Sequence, residues 1–167
     1  MKPFTVLMGV SGCGKTTVAS LLADALPEAT YLEGDSYHPP GNKEKMGAGI
    51  PLTDEDRWPW YDALNQVARE TFEAGKTPVL ACSALKKSYR DVLFRDFEDF
   101  RLILLEGSFQ LIKDRMDSRD HEYMTSTLLE SQFATLEEPE PAANVLTLSI
   151  EHSPEELVER IVAWLEN

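Results

Sequence analysis

The chain is short of cysteine, histidine and positive charge, and each shortage closes off a class of function. Two cysteines in 167 residues, Cys13 and Cys82, have neither the density of a disulfide framework nor the spacing of a metal knuckle, so a reducing compartment is the expectation. Three histidines (His38, His121 and His152) show no metal-ligand spacing. Sixteen Lys and Arg against 29 Asp and Glu leave a formal net charge of −13, which argues against a nucleic-acid groove, since that needs a basic face. No apolar stretch approaches membrane-spanning length, and Met1-Lys2-Pro3-Phe4 runs straight into a strand pattern without a signal-peptide core. No internal repeat or low-complexity tract is visible. The expectation is one soluble, cytoplasmic domain spanning 1–167, with no nucleic-acid or membrane partner.

What is present begins at residue 9. Gly9-Val10-Ser11-Gly12-Cys13-Gly14-Lys15-Thr16-Thr17 matches the phosphate-binding pattern G-x-x-x-x-G-K-[ST]. Phe4 to Met8 before it is an apolar, strand-like run, and Val18 to Leu26 after it carry apolar residues at helical spacing. That order, strand then loop then helix, lets glycine-permitted backbone turns aim successive N–H groups at a polyphosphate, aided by the helix N-terminus. Lys15 is then expected to reach the β and γ phosphates of ATP, and the Thr16 hydroxyl to ligate Mg²⁺.

Further strands are expected over 30–33, 78–83, 101–106 and 145–150, alternating with helices over 59–74, 85–97, 109–118, 127–136 and 154–166. Pro59 serves as a first-turn residue, Gly75 as a stop, Ser153 as a cap, and Thr127 with Glu130 as a T-x-x-E capping box. Alternation of this kind means βα units and a parallel sheet in a three-layer α/β sandwich. Gly34 to Arg57, rich in Pro and Gly, is expected to be a long irregular loop that covers a substrate.

Phosphoryl transfer also needs an acceptor-aligning group and positive charge. Glu33-Gly34-Asp35 falls at the carboxyl end of the second strand, the edge where open α/β sheets bind ligands. Asp35 is the candidate base or hydroxyl-orienting group, and Glu33 the candidate hold on a Mg²⁺-bound water; the alternative is that both are solvated acids ending a strand. Arg57, behind Asp54-Glu55-Asp56, is either a substrate cation or an ion-pair partner of those acids. Lys86, Lys87 and Arg90 crowd a helix start, where cations oppose the macrodipole, so the cluster is either a receiver for a substrate carboxylate, best through Arg90, or a solvated basic face. Arg115 and Arg119, four apart, can share a helix face that closes over ATP or can salt-bridge locally. His38 is a candidate hydrogen-bonding group for the substrate.

With these segments in view, the chain resembles the gluconokinases, small P-loop kinases that phosphorylate D-gluconate at its 6-hydroxyl. The likeness rests on Glu33-Gly34-Asp35 running to His38-Pro39-Pro40, Lys45-Met46 with Gly49 to Leu52, Asp54 to Trp60, Cys82 to Asp91, and Ser131-Gln132-Phe133-Ala134-Thr135-Leu136-Glu137. It runs the whole length. It implies a core similar to nucleoside monophosphate kinases and shikimate kinase, with five strands in the order 2-3-1-4-5, a substrate-covering segment over about 34–60, a helical lid over about 109–130, and a homodimer. By the same resemblance Asp35 and Arg57 match the acid and arginine that grip the acceptor in shikimate kinase, and Arg115 or Arg119 the lid arginine. Cys13 stands where Ser is more usual in the family. The competing expectations are a kinase for another small hydroxy acid, shikimate-like, and a nucleotide switch without catalysis; Asn42-Lys43-Glu44-Lys45 lacks the closing Asp of a guanine-reading loop.

Overall fold

The computed structural model describes residues 2–118 and 126–167. Strand β1 (Phe4–Met8) is buried at all five positions, and so is β3 (Thr77–Ala81), as expected of strands covered on both faces. With β2 (Ala29–Glu33), β4 (Phe100–Glu106) and β5 (Val145–Ser149) they form one parallel sheet in the order β2-β3-β1-β4-β5. The register aligns Leu7 with Ala81, and Ala81 with Glu33. The segments starting at Gly9, Gly34 and Cys82 therefore leave the same edge of the sheet side by side.

Right-handed crossovers decide the layers. The step from β1 leftward to β2 sets α1 (Lys15–Ala25) on one face, where it packs against α7 (Pro154–Glu166). The rightward steps carry α3 (Asp54–Glu73), α4 (Lys87–Leu93) and α5 (Phe109–Asp117) on the other face, with α6 (Ser126–Thr135) following α5. Helix α7 has the expected bounds because its signals are local: Ser153 Oγ accepts from the Glu156 amide, and Pro154 fills the first position.

Four expectations are corrected. The stretch 34–57 is not irregular: a 3-10 turn (Gly34–Tyr37) and helix α2 (Pro40–Gly47) occupy it. Helix α3 begins at Asp54 rather than Pro59, because Thr53 and Asp56 make a reciprocal capping box that starts the helix one turn and a half earlier. Pro59 then sits exposed inside the helix, where its ring faces solvent and the carbonyl four residues back loses a donor. Helix α4 starts at Lys87, not Leu85, since the Arg90 guanidinium takes up the Ala84 and Leu85 carbonyls and Ala84 adopts a positive φ of 46°. Thr127 lies within the first turn of α6 and not ahead of it.

Candidate active site

The loop between β1 and α1 turns on three glycines with positive φ: Gly9 (149°), Gly12 (82°) and Gly14 (95°). At Gly12 a Cβ would lie 2.8 Å from the Met116 side chain, so both the conformation and the close approach of α5 require glycine. Among the described residues no acceptor meets the amides of Gly12, Gly14, Lys15, Thr16 and Thr17, the donors that a polyphosphate needs. Lys15 Nζ donates to the Gly9 and Val10 carbonyls, each at 2.9 Å, and so lies along the loop it serves. Cys13 is buried, with its sulfur where a Gly9 Cβ would fall.

Glu33, last in β2, accepts from Thr16 Oγ1 at 2.7 Å through Oε2, and the same oxygen receives the Tyr31 hydroxyl at short range. Tyr31 is held as a protonated donor: burial, then the Glu33 carboxylate, push its pKa upward. A hydroxyl and a carboxylate thus converge at the N-terminus of α1. Hard oxygen donors of this kind suit Mg²⁺, which keeps waters and phosphate oxygens as its other ligands. Consistent with so sparse a set, no group of three His, Cys, Asp or Glu side chains among the described residues could cage a metal alone.

Asp35 begins the acceptor side. Gly34 before it admits no side chain, since a Cβ would come within 2.5 Å of the Ala81 carbonyl, and Trp60 Nε1 fixes the Gly34 carbonyl at 2.8 Å. The Asp35 side chain is 80% exposed, yet the protein around it raises its pKa by desolvation, against the pull of Lys15 and with a push from Glu33. Water access to the carboxylate itself limits that rise. His38 is buried with its ring stacked on Trp60, centroids 3.8 Å apart, and burial followed by the Arg57 charge lowers its pKa to about 4.

Arg57 and Lys86 come together around one acid. Arg57 Nη1 donates to the Tyr89 hydroxyl at 2.7 Å and lies 3.9 Å from Asp54 Oδ1; Lys86 Nζ reaches the same Oδ1 at 3.3 Å. Tyr89 OH donates to Asp54 at 2.5 Å, and both cations lie over the Tyr89 ring. That hydrogen bond is the main cause that holds the Asp54 pKa below its ordinary value, while burial first and Asp54 second raise Tyr89 to about 12. Arg57 thus pairs with an acid of its own helix, and Lys86 shares that acid with it.

Arg90 is buried, not on a solvated face, and its guanidinium donates to the carbonyls of Ala84 (2.8 Å), Leu85 (3.2 Å) and Glu137 (3.1 Å), so that it fastens backbone at the start of α4. Lys87 points to Asp91. Arg115 lies at the end of α5 with Nη2 on the Ile150 carbonyl at 2.7 Å, beside the segment after β5. A cavity of about 470 Å³ opens there, lined by Glu106, Gly107, Ser108, Leu111, Ser149 and Glu151. Arg119 and His121 lie outside the described residues.

Four residues escaped the sequence reading. Tyr31, Asn42 and Tyr89 support acids or rings of the site, and Gln132 of α6 grips the phosphate loop, accepting from the Ser11 amide at 2.7 Å and donating to its hydroxyl at 3.2 Å. Tyr89 and Gln132 lay in stretches already marked as unusual, Cys82 to Asp91 and Ser131 to Glu137, and only by likeness.

A family model described as an AAA domain matches residues 4–139. A gluconokinase from Gluconobacter oxydans (strain 621H) is 44% identical over 163 residues, covering 97% of this chain and 91% of that protein. Among solved structures, a sugar kinase from Janibacter sp. HTCC2649 superposes with a TM-score of 0.93 at 42% identity, over 99% of this chain and 95% of that one. A gluconokinase from Sinorhizobium meliloti 1021 does so with a TM-score of 0.86 at 38% identity, over 98% and 91%.

Proposed function

The chain belongs to the gluconokinase family of P-loop kinases, and from that membership we propose that it uses ATP to phosphorylate D-gluconate at the 6-hydroxyl, giving 6-phospho-D-gluconate. One observation carries the reading on the molecule itself. The 2.7 Å bond from Thr16 to Glu33 ties the phosphate loop to the strand that leads, two residues on, into Asp35. Donor and acceptor sites are thereby fixed against each other at one sheet edge.

In this reading the amides of Gly12 and of Gly14 to Thr17 and the Lys15 ammonium hold the phosphates, with Gly9, Val10, Ser11 and Cys13 shaping the loop. Thr16 and Glu33 are the residues that would hold Mg²⁺, which would neutralise charge on the transferring group. Asp35 orients the primary hydroxyl of gluconate and takes its proton; its raised pKa makes it a better base than an ordinary aspartate. Arg57 and Lys86 receive the carboxylate of the sugar acid, and His38 lines the acceptor side. Arg115 approaches the nucleotide from the lid, and the cavity after β4 and β5 is of a size for the base. The segments 34–60 and 109–130 serve as acceptor cover and lid within a single domain, residues 119–125 of the second lying outside those described. A homodimer in the cytoplasm completes the proposal; no helix among the described residues is long and apolar enough to cross a membrane.

The test is an ADP-release assay with MgATP and a panel of acceptors. Gluconate should stimulate turnover far above shikimate and other aldonates. Activity on shikimate without activity on gluconate would overturn the reading, and turnover indifferent to any acceptor would favour a nucleotide switch.

A further inference from the structure

Helix α2 holds a buried amide, Asn42, which no reading of the reaction has used. Its Nδ2 donates to the Asp56 carbonyl at 2.9 Å. A carbonyl only accepts, so this bond settles which end of the amide is nitrogen. The same Nδ2 lies 3.2 Å from His38 Nδ1 and has a second hydrogen to give. Nδ1 must then be the lone-pair nitrogen, and the neutral imidazole must carry its proton on Nε2. The plane of the ring is held by its stack on Trp60, whose own indole N–H is fastened to the Gly34 carbonyl, and within that plane the bond from Asn42 selects the edge that carries Nδ1. Nε2 faces Asp35 Oδ1 at 3.7 Å. That separation is too long for a hydrogen bond, but the exposed Asp35 side chain is free to rotate and close it.

We propose that Asn42 is a positioning residue that locks His38 in the Nε2–H tautomer, so that His38 presents a fixed donor to one oxygen of Asp35 and leaves the other for the hydroxyl of the acceptor. This rests on the reading of Asp35 as the acceptor-orienting carboxylate. The lowered pKa of His38 supports it, since the ring stays neutral and one tautomer is defined at pH 7. A simple packing role for Asn42 would be indifferent to which ring nitrogen bears the proton.

The experiment combines nitrogen-15 NMR of the imidazoles at pH 7.5 with kinetics, on the full-length protein. Wild type should show His38 with protonated Nε2 and bare Nδ1. In Asn42→Ala that preference should collapse toward a mixture, and kcat with gluconate should fall roughly tenfold, in the range typical for loss of an orienting partner, with both KM values nearly unchanged. His38→Gln, whose amide nitrogen sits near the place of Nε2, should retain more turnover than His38→Leu. A wild-type Nδ1–H tautomer would overturn the proposal, whether or not Asn42→Ala folds. So would a variant with lost tautomer preference but undiminished kcat, or equal activity of the two His38 variants. Absence of gluconate turnover in wild type, with the Nε2–H tautomer still seen, would instead sink the functional reading and leave the Asn42 lock standing.

Discussion

The two ends of the cleft are made of different materials. The proposed phosphate end is nine consecutive residues that would act mainly through backbone N–H groups, arranged by glycines that alone accept the required φ values. The proposed acceptor end is made of side chains from the 3-10 turn and its cap, α2, α3, and α4 with its cap: Asp35, His38, Asn42, Asp54, Arg57, Trp60, Lys86 and Tyr89. A site of the first kind is specified by a local pattern. One of the second kind exists only after the sheet order and two helix starts have been settled, so it is where single side-chain changes should separate acceptor chemistry from nucleotide binding.

Asp35→Ala should give the largest separation. Turnover should drop by roughly a hundredfold or more, the size of a general-base contribution, while ATP affinity measured by calorimetry stays close to wild type. Unchanged turnover would remove Asp35 from the chemistry and with it the meaning of the contrast. Arg57→Ala should act next, raising KM for gluconate about tenfold with little change in KM for ATP, as loss of a charged hydrogen bond would. A rise confined to the ATP constant would move Arg57 to the other end of the cleft.

The mildest effect concerns stability and pH. His38 titrates at 6.5 in a free chain and about 4 in the fold, because burial and the Arg57 charge resist protonation. Between those values the unfolded chain binds the proton and the folded one does not, so stability rises with pH through this window and falls on acidification. The slope should be on the order of 1 kcal/mol per pH unit inside it. Urea midpoints taken at several pH values from 4 to 7 should show that slope, and His38→Gln should flatten it; an identical slope in the variant would assign the acid sensitivity to other groups.

Where the sequence was readable, its signals were local. The loop from Gly9, strand β1 and helix α7 each carry their own punctuation, and the structure has them where that punctuation stands. The strand order came with the family likeness, since periodicity says nothing about which strands are neighbours. Helix α2 was missed because Pro40-Gly41-Asn42-Lys43 has poor intrinsic helix formers and no apolar stripe; long-range ties such as Asn42 to the Asp56 carbonyl and Lys45 to Asp56 at 2.7 Å hold it. That ion pair, with the Thr53 cap, also draws the Asp56 pKa down to about 2. The start of α3 was misread because Pro59 is a plausible first-turn residue, and the T-x-x-D box ahead of it was overlooked. The backbone-fastening contacts of Arg90 are not legible in the sequence, because its partners are carbonyls of a turn at Ala84, which no spacing rule anticipates.

Asp54 has an implication for how a sugar acid comes and goes. Arg57, Lys86 and Tyr89 already share this internal anion, so a carboxylate received there as proposed would enter a partnership and not meet bare cations. On the proposed roles, what it would gain is the difference between two anions competing for the same hosts, a modest preference rather than a tight grip.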